Sequence, residues 1–222
     1  MPSASLPKLE VVVVTPFQQN CSILWDPDTR IGVVTDPGGD VPAILERLRE
    51  LGVTTEAILL THGHLDHAGG AEALRTGLGP RPDGTPVPVI GPDRADAFLL
   101  SNITAQAGTL GLKDMHDAWP DRYVDPGETL ELAGRKLEVL LVPGHTPGHV
   151  VFFDREARLL LGGDALFAGS VGRTDFPYGD GQLLIRSIKE QLLPMGDDVT
   201  VVPGHGGFTT IGEERRSNPF LR

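Results

Sequence analysis

Three histidines and one aspartate crowd into residues 62–67, in the pattern His-x-His-x-Asp-His. Imidazole and carboxylate groups held this close together are costly to bury, and a divalent cation removes that cost by taking their lone pairs. A short apolar run at residues 57–60 leads directly into the cluster and is typical of a strand. The sequence therefore predicts a metal site in a loop at the C-terminal end of a strand, where α/β sheets commonly build their sites.

Three later positions share this arrangement of a short apolar strand, a glycine and a residue that can bind metal: His145, Asp164 and His205. A single histidine after a strand is more often a hydrogen-bonded loop residue, and a single aspartate is more often a turn former or a helix cap. The repetition of the same arrangement at several strand ends favours a shared site instead. Strand ends can converge on one point, and glycine lets the backbone pack closely there. We therefore expect the three residues to join the cluster.

The hydropathy pattern predicts one domain with two β-rich halves, each covered on the outside by helices. Apolar runs predict strands at residues 9–15, 22–25, 31–35, 57–60, 87–90, 130–132, 136–142, 150–154, 159–161 and 199–202. Helical spacing predicts helices at residues 41–51, 68–78, 93–100 and 183–193. Residues 101–120 show no clear period, and we interpret them as a partial lid over the site or, alternatively, a plain surface loop.

The charge and composition narrow the range of partners. The formal net charge of -11 argues against nucleic acid and anionic membranes as partners, since both require basic surface. A small anionic substrate stays compatible with this charge if bound cations hold it. One cysteine excludes an intrachain disulfide framework, and residues 1–10 show no basic region followed by an apolar stretch. A cytoplasmic location is therefore expected.

The spacing of these residues resembles the metallo-β-lactamase fold family of hydrolases over nearly the whole chain. The resemblance implies an α+β fold, an αβ/βα sandwich of two mixed β-sheets flanked by helices, as a single domain over residues 1–222. It also implies seven ligands for two divalent cations, with His62, His64 and His145 on the first, Asp66, His67 and His205 on the second, and Asp164 bridging both. Imidazole and carboxylate ligands suit Zn2+, with iron or manganese as alternatives.

The resemblance also implies a hydrolytic mechanism. Two cations that share one solvent molecule lower its pKa toward neutrality, so the expected nucleophile is a metal-bound hydroxide that attacks a carbonyl group. Asp66 and Asp164 are the expected catalytic carboxylates, with Asp66 orienting the hydroxide. We expect His149 to be structural and assign no role to His116. Nearby side chains are expected to hold the ligand imidazoles or, alternatively, to cap their own loops: Asp36, Thr61 and Thr146.

Residues 143–149, 163–167 and 172–176 are similar to the glyoxalase II branch of this family, and particularly to its short single-domain bacterial members. Residues 218–221 recur in the same short proteins. The similarity implies a thioesterase that hydrolyses S-D-lactoylglutathione, or a related small acyl thioester, to D-lactate and glutathione. Arg173 matches a basic position that meets glutathione in the longer enzymes, although a surface ion pair is an equal alternative.

Two departures and several alternatives accompany this interpretation. The chain stops about 17 residues after His205, so we expect it to be without the C-terminal helical domain that binds glutathione in longer glyoxalase II, and Gly207 stands where those enzymes have tyrosine.

The main alternative is a persulfide dioxygenase with a single iron held by His62, His145 and Asp164. A β-lactam or other ester hydrolase, a nucleic-acid hydrolase and a non-catalytic module are further alternatives. The native metal and the oligomeric state stay open.

Overall fold

Two mixed β-sheets face each other at the centre of the protein, in a computed structural model that describes residues 6–222. The first sheet consists of β1 Lys8–Val14, β2 Gln19–Trp25, β3 Ile31–Thr35, β4 Thr54–Leu59 and β5 Val89–Ile90, in that spatial order. β1, β2 and β3 pair antiparallel, whereas β3, β4 and β5 pair in parallel. The first sheet therefore places the ends of β3 and β4 side by side.

The second sheet contains six strands, and a short hairpin lies outside it. In chain order the strands of this half are β6 Thr129–Leu132, β7 Arg135–Leu141, β8 Val150–Asp154, β9 Leu159–Gly163, β10 Leu166–Phe167, β11 Ser170–Val171, β12 Thr200–Pro203 and β13 Thr209–Thr210. The sheet order is β13-β12-β9-β8-β7-β6, and β10 pairs with β11 in the hairpin. β9 and β12 run in parallel, so these two strands also end side by side.

Helices cover the outer face of each sheet. They are α1 Val41–Leu51, α2 Leu65–Ala68, α3 Ala71–Leu78, α4 Ala97–Leu100, α5 Ile103–Thr109, α6 Gly181–Ser187 and α7 Ile211–Ser217. Leu48 of α1 and Leu74 of α3 join the core on the first sheet, and Leu184 of α6 joins the core on the second. The protein therefore has four layers, in the order helices, first sheet, second sheet and helices, and this order confirms the predicted αβ/βα sandwich.

The central strands are continuous apolar runs because both of their faces are buried. In β8, Val150 and Phe152 point into the core between the sheets, whereas Val151 and Phe153 pack under the helices of the second sheet. Burial of each such side chain stabilises the fold by about 1.5–3 kcal/mol. These two cores fix the strand ends, and the strand ends carry the site.

The helix predictions differ from the structure at several places. The helix predicted at 93–100 begins as a 3-10 turn at Arg94–Asp96 and continues as α4, and α7 was not predicted. The irregular segment predicted for residues 101–120 contains α5, a single short helix that is held by the buried side chains of Ile103 and Ala107. The helix predicted at 68–78 is two helices, α2 and α3, and the one predicted at 183–193 changes from α6 to a π-helical turn at Ile188–Leu192. In each case tertiary packing decides the local conformation, which periodicity does not report.

Within residues 6–222, no helix is both long enough and apolar enough to cross a membrane. The expectation about a leader in residues 1–10 lies partly outside the described residues, because the description begins at residue 6.

Candidate metal centre

The loop that follows β4 carries the first four predicted ligands. Asp36, directly after β3, accepts hydrogen bonds from the Thr61 backbone N–H at 2.7 Å and from its hydroxyl at 2.6 Å, and so ties the loop to the neighbouring strand end. His64 is extended and precedes α2, whose first turn presents Asp66 and His67. The parallel pairing of β3 with β4 therefore positions the whole cluster.

The structure brings all seven predicted ligands together, since His145, Asp164 and His205 follow the ends of β7, β9 and β12. One group forms around His64, whose Nδ1 lies 3.1 Å from His62 Nε2 and 3.0 Å from His145 Nε2. The ligand atoms of these three histidines lie within 4.8 Å of one another. This is the grouping expected for a first cation.

A second group forms around His205. Its Nε2 lies 3.3 Å from Nε2 of His67 and 3.3 Å from Oδ2 of Asp66. Asp164 lies between the two groups, with Oδ1 3.3 Å from His67 Nε2 and Oδ2 3.5 Å from His145 Nε2. The buried Oδ1 of Asp164 has no hydrogen-bond partner within residues 6–222. A carboxylate in this position can contact cations in both groups.

The second ring nitrogen of each of these histidines is already bonded. The partners of His62, His64, His67, His145 and His205 are, in that order, Thr61 Oγ1, Tyr178 Oη, Asp36 Oδ2, Arg173 O and Phe17 O. The two backbone carbonyls only accept, so the neutral His145 and His205 rings must donate from Nδ1 and direct an Nε2 lone pair into the cluster.

Lone pairs that face one another at about 3 Å repel unless a positive charge lies between them. A divalent cation supplies that charge, and imidazole nitrogens with carboxylate oxygens are suitable ligands for it. The described residues therefore fit a divalent metal site, and this conclusion rests on the ring orientations and on the unpartnered Asp164 oxygen.

The pKa shifts follow from the burial of these groups. Burial lowers the pKa of His64 to about 3 and holds the pKa of His62 well below its ordinary value. Burial also opposes charge on His67 and Asp164, but their mutual attraction outweighs it. The pKa of His67 is therefore raised, and the pKa of the Asp164 carboxyl lies well below its usual range. The centre thus combines neutral imidazoles at His62 and His64 with an ionised carboxylate at Asp164, which favours the protonated form of His67.

Two of the three predicted supporting side chains contact an imidazole. Asp36 and Thr61 do so, whereas the hydroxyl of Thr146 donates instead to Asp96 at 2.7 Å. His149 has the structural role that we expected, since its Nε2 accepts the Asp164 backbone N–H at 2.9 Å. His116 is exposed and has no contact with the centre among the described residues.

Asp96 is a supporting residue that the sequence did not reveal. Its buried carboxylate accepts hydrogen bonds from the Gly63 N–H at 2.8 Å, the Thr146 hydroxyl at 2.7 Å and the Gly148 N–H at 2.6 Å. It therefore joins the loop of His62 and His64 to the loop of His145. Burial raises the pKa of Asp96 to about 6. No local motif marks this residue, because all of its partners are distant in sequence.

Replacing Asp96 with asparagine is expected to weaken metal binding by about 10–100-fold, because the new amide N–H₂ faces donors that need an acceptor. Competition with a chromophoric chelator measures the affinity. Asp93→Asn is the matched control, since Asp93 lies three residues earlier and caps only its own turn through the Ala95 N–H. Equal affinities in the two variants would contradict the role of Asp96.

Glycine beside a ligand is required at position 204. A Cβ atom there would lie 2.2 Å from Asp164 Oδ1 and 2.5 Å from His67 Cε1. The Asn20 side chain fixes the same loop by donating to the carbonyls of Pro203 and Gly206, each at 2.9 Å. The close approach of this backbone to the predicted ligands explains why glycine precedes His205 in the sequence.

A cavity of about 500 Å³ opens over the centre. Its wall is mainly apolar and includes Phe17, Leu65, Leu110, Phe167, Val171 and Phe176. Gln106 of α5 and the nearby Leu110 belong to the segment that we interpreted as a partial lid, and both line the cavity. The lid itself stays a prediction, which deletion of the segment and measurement of substrate affinity would test.

Tyr178 is a second residue that the sequence did not reveal. Its hydroxyl lies 2.9 Å from His64 Nε2, and its ring stacks on Phe176 at 5.3 Å between centroids with planes 11° apart. Arg173, the predicted substrate contact, lies at the rim of the cavity, where it forms an ion pair with Asp175. Tyr178 thus belongs both to the cavity wall and to the support of a ligand.

Replacing Tyr178 with phenylalanine is expected to weaken metal binding about tenfold, because His64 loses the partner that orients its ring. The aromatic stacking on Phe176 is kept, so the fold is expected to be unaffected. Metal titration followed by isothermal calorimetry tests this, with Tyr123→Phe as the control on a tyrosine that packs under Arg94. An unchanged affinity in Tyr178→Phe would contradict the expectation.

Comparison with known proteins agrees with the fold and the centre. The family model described as "Metallo-beta-lactamase superfamily" matches residues 14–205. A relative from Haemophilus influenzae, named hydroxyacylglutathione hydrolase GloC, is 45% identical over 214 residues, which are 96% of this chain and 97% of that protein. The predicted resemblance to glyoxalase II-like proteins is thereby confirmed.

Two solved structures are also similar over nearly their whole length. BLEG-1 B3 metallo-beta-lactamase has a TM-score of 0.86 at 33% identity and covers 96% of this chain and 99% of its own. TTHA1623 in a di-iron-bound form has a TM-score of 0.83 at 36% identity, with coverage of 96% and 100%. The chain therefore belongs to the metallo-beta-lactamase superfamily and is a metallohydrolase that resembles its glyoxalase II-like members.

Proposed function

We propose that this chain is a metal-dependent thioester hydrolase of glyoxalase II type, which cleaves S-D-lactoylglutathione or a related acyl thioester. The observation that carries the proposal is the cluster of seven predicted ligands, five of which line a mainly apolar cavity. The 45% identical relative named hydroxyacylglutathione hydrolase supports the choice of substrate. The products from S-D-lactoylglutathione are D-lactate and glutathione.

In this proposal two divalent cations, Zn2+ in the first place and iron or manganese as alternatives, occupy the centre. His62, His64 and His145 would hold one cation and Asp66, His67 and His205 the other, with Asp164 placed between the two groups. When bound, the cations activate a water molecule and polarise the thioester carbonyl.

The protein side chains then bind and orient the reactants. Asp66 lines the cavity beside His205, so its carboxylate can accept a hydrogen bond from the attacking water and fix its direction. The apolar wall would exclude bulk water from an acyl group at the centre, and the thiol portion of the substrate would then reach the side of the cavity that Arg173 lines. Attack forms the new C–O bond and breaks the C–S bond, and one water proton ends on the thiol.

The test is hydrolysis of S-D-lactoylglutathione by purified, metal-loaded protein, followed through release of free thiol. We expect activity that is lost with a chelator and lost in His62→Ala. His116→Ala is the matched control, because it removes an exposed imidazole that has no described contact with the centre. Activity that survives in His62→Ala would contradict the proposed centre.

Two alternatives are assayed in parallel. A chromogenic cephalosporin tests β-lactam hydrolysis, the activity that the name of BLEG-1 indicates for that protein. Oxygen uptake with glutathione persulfide and iron-loaded protein tests the dioxygenase alternative, in which His62, His145 and Asp164 hold one iron. Either activity without thioester hydrolysis would overturn the proposed function.

A further inference from the structure

The positive charge at the rim of the cavity is already paired. Arg173 donates from Nε to Asp175 Oδ1 and from Nη2 to Asp175 Oδ2, both at 2.7 Å. Its guanidinium carbon lies 4.4 Å over the centroid of the Phe176 ring. A carboxylate therefore faces one edge of the guanidinium and an aromatic ring covers one face. The guanidinium keeps its full charge, but the adjacent carboxylate offsets that charge and occupies two of its donors, in a pair whose side chains are 63% and 68% exposed.

Apart from the metal centre itself, the described lining of the cavity offers no second lysine or arginine in place of this charge. Among the described residues that line it, Arg173 is the single lysine or arginine, and Asp66 and Asp164 contribute carboxylates. The apolar part of the wall, which includes Leu110 and Phe167, suits uncharged groups. The thiol portion of a thioester therefore meets a neutral ion pair and apolar side chains.

Arg173 has structural roles that explain its presence without a ligand. Its backbone carbonyl accepts the Nδ1–H of His145 at 2.7 Å. Its guanidinium packs on Phe176, which stacks on Tyr178, whose hydroxyl contacts His64. The residue thus connects the rim to two ligands of the centre, whether or not a substrate carboxylate binds to it.

We propose that Asp175 masks Arg173 and so prevents it from acting as a binding site for anions. Asp175 is then the residue that sets specificity for the thiol half of the substrate. The cavity then selects the acyl group and accepts acyl thioesters of neutral as well as anionic thiols. The kinetic part of this inference rests on the proposed thioesterase function. The masking itself is a property of the binding surface and is measurable without turnover.

Asp175→Asn removes the negative charge and keeps the shape of the side chain. Calorimetry at low salt measures the binding of S-methylglutathione, a thioether that has both carboxylates of glutathione and no thioester bond. We expect Asp175→Asn to bind it about fivefold more tightly than wild type, the change that loss of one nearby charge predicts in water. The neutral thioether S-methyl-N-acetylcysteamine is expected to show no such gain.

Two further variants separate masking from a general change of charge. Asp198→Asn is the matched control, because Asp198 forms the same two-pronged pair with Arg158, at 2.8 and 2.7 Å, and does not line the cavity. It is expected to bind S-methylglutathione as wild type does. The double variant Arg173→Gln with Asp175→Asn is expected to lose the gain, since the unmasked cation is then absent.

Kinetics extend the test to substrates. Wild type is expected to hydrolyse S-D-lactoylglutathione and S-D-lactoyl-N-acetylcysteamine with kcat/KM values within about tenfold of each other, since a masked cation contributes at most about one factor of ten. In Asp175→Asn the ratio is expected to move toward the glutathione substrate through a lower KM. A change in kcat alone would point to a structural effect and would overturn the inference.

The outcomes distinguish the two proposals. Unchanged binding of S-methylglutathione by Asp175→Asn overturns the masking, as does a loss of tenfold or more in the single variant Arg173→Gln, which would show that Arg173 already binds the anion. If no thioester is hydrolysed but the gain in binding is observed, the proposed function fails and the masking stands. If hydrolysis is observed without the gain, the masking fails and the function stands.

Discussion

Asp164→Asn is expected to reduce thioester hydrolysis by about 10³-fold, because a charge that acts in the centre is removed while the shape of the side chain is kept. The carboxylate lies within 3.6 Å of the ring nitrogens of His67, His145 and His205, and burial leaves water little access to screen it. An amide supplies one neutral oxygen in place of two charged ones, so the two groups of histidines lose the anion between them.

Metal content and activity are measured together in this variant. Emission spectrometry of the purified protein is expected to show less metal per chain than in wild type, and circular dichroism is expected to show the same fold. Asp198→Asn, an exposed carboxylate in an ion pair with Arg158, controls for the loss of charge alone. An Asp164→Asn protein with wild-type metal content and wild-type hydrolysis would refute the role of this carboxylate.

Metal removal is expected to lower the free energy of unfolding by about 2.7 kcal/mol. The reference is the same protein at a free metal concentration of about 100 times the Kd of the metal. For a chain of this size that decrease corresponds to a fall in Tm of about 5–10 °C. The physical reason is that the fold directs ligand atoms toward one point, as at His145, whose Nε2 lone pair lies 3.0 Å from Nδ1 of His64 and 3.5 Å from Oδ2 of Asp164.

Differential scanning calorimetry with and without a chelator measures this shift. His62→Ala is the control, because it removes one ligand from the first group and is expected to show a smaller response to added metal. A Tm that is the same in the presence and absence of metal would contradict the presence of a built metal site in the fold.

The sequence was sufficient to predict that these seven residues meet, because they follow the ends of apolar strands and five of them stand next to a glycine: His62, His64, His145, Asp164 and His205. Strands of this kind are recognised from composition alone when both of their faces are buried, as in β8 with Phe152 and Phe153. Once the strands are known, two parallel pairings are enough to bring the residues at the strand ends together. These are the pairing of β9 with β12 and the pairing of β3 with β4. The sandwich and the cluster were therefore predictable together.

The supporting residues were not predictable, because their contacts span large distances in sequence. Asp96 reaches Gly63 across 33 residues and Gly148 across 52, and Tyr178 reaches His64 across 114. Aspartate and tyrosine in loops are common, and neither residue lies in a local pattern that implies a metal. Thr146 shows that closeness in sequence can also mislead. It stands next to the predicted ligand His145, but its hydroxyl donates to Asp96 and not to an imidazole. Adjacency in sequence is a weak guide to such contacts.

The most direct test of the account is a titration of metal-free protein with Zn2+ while hydrolysis of S-D-lactoylglutathione is recorded. Activity is expected to rise with added metal and to reach its plateau at about two equivalents per chain, the number in the proposal that places Asp164 between two cations. An absence of hydrolysis at every metal occupancy, with zinc, iron and manganese alike, would contradict the account.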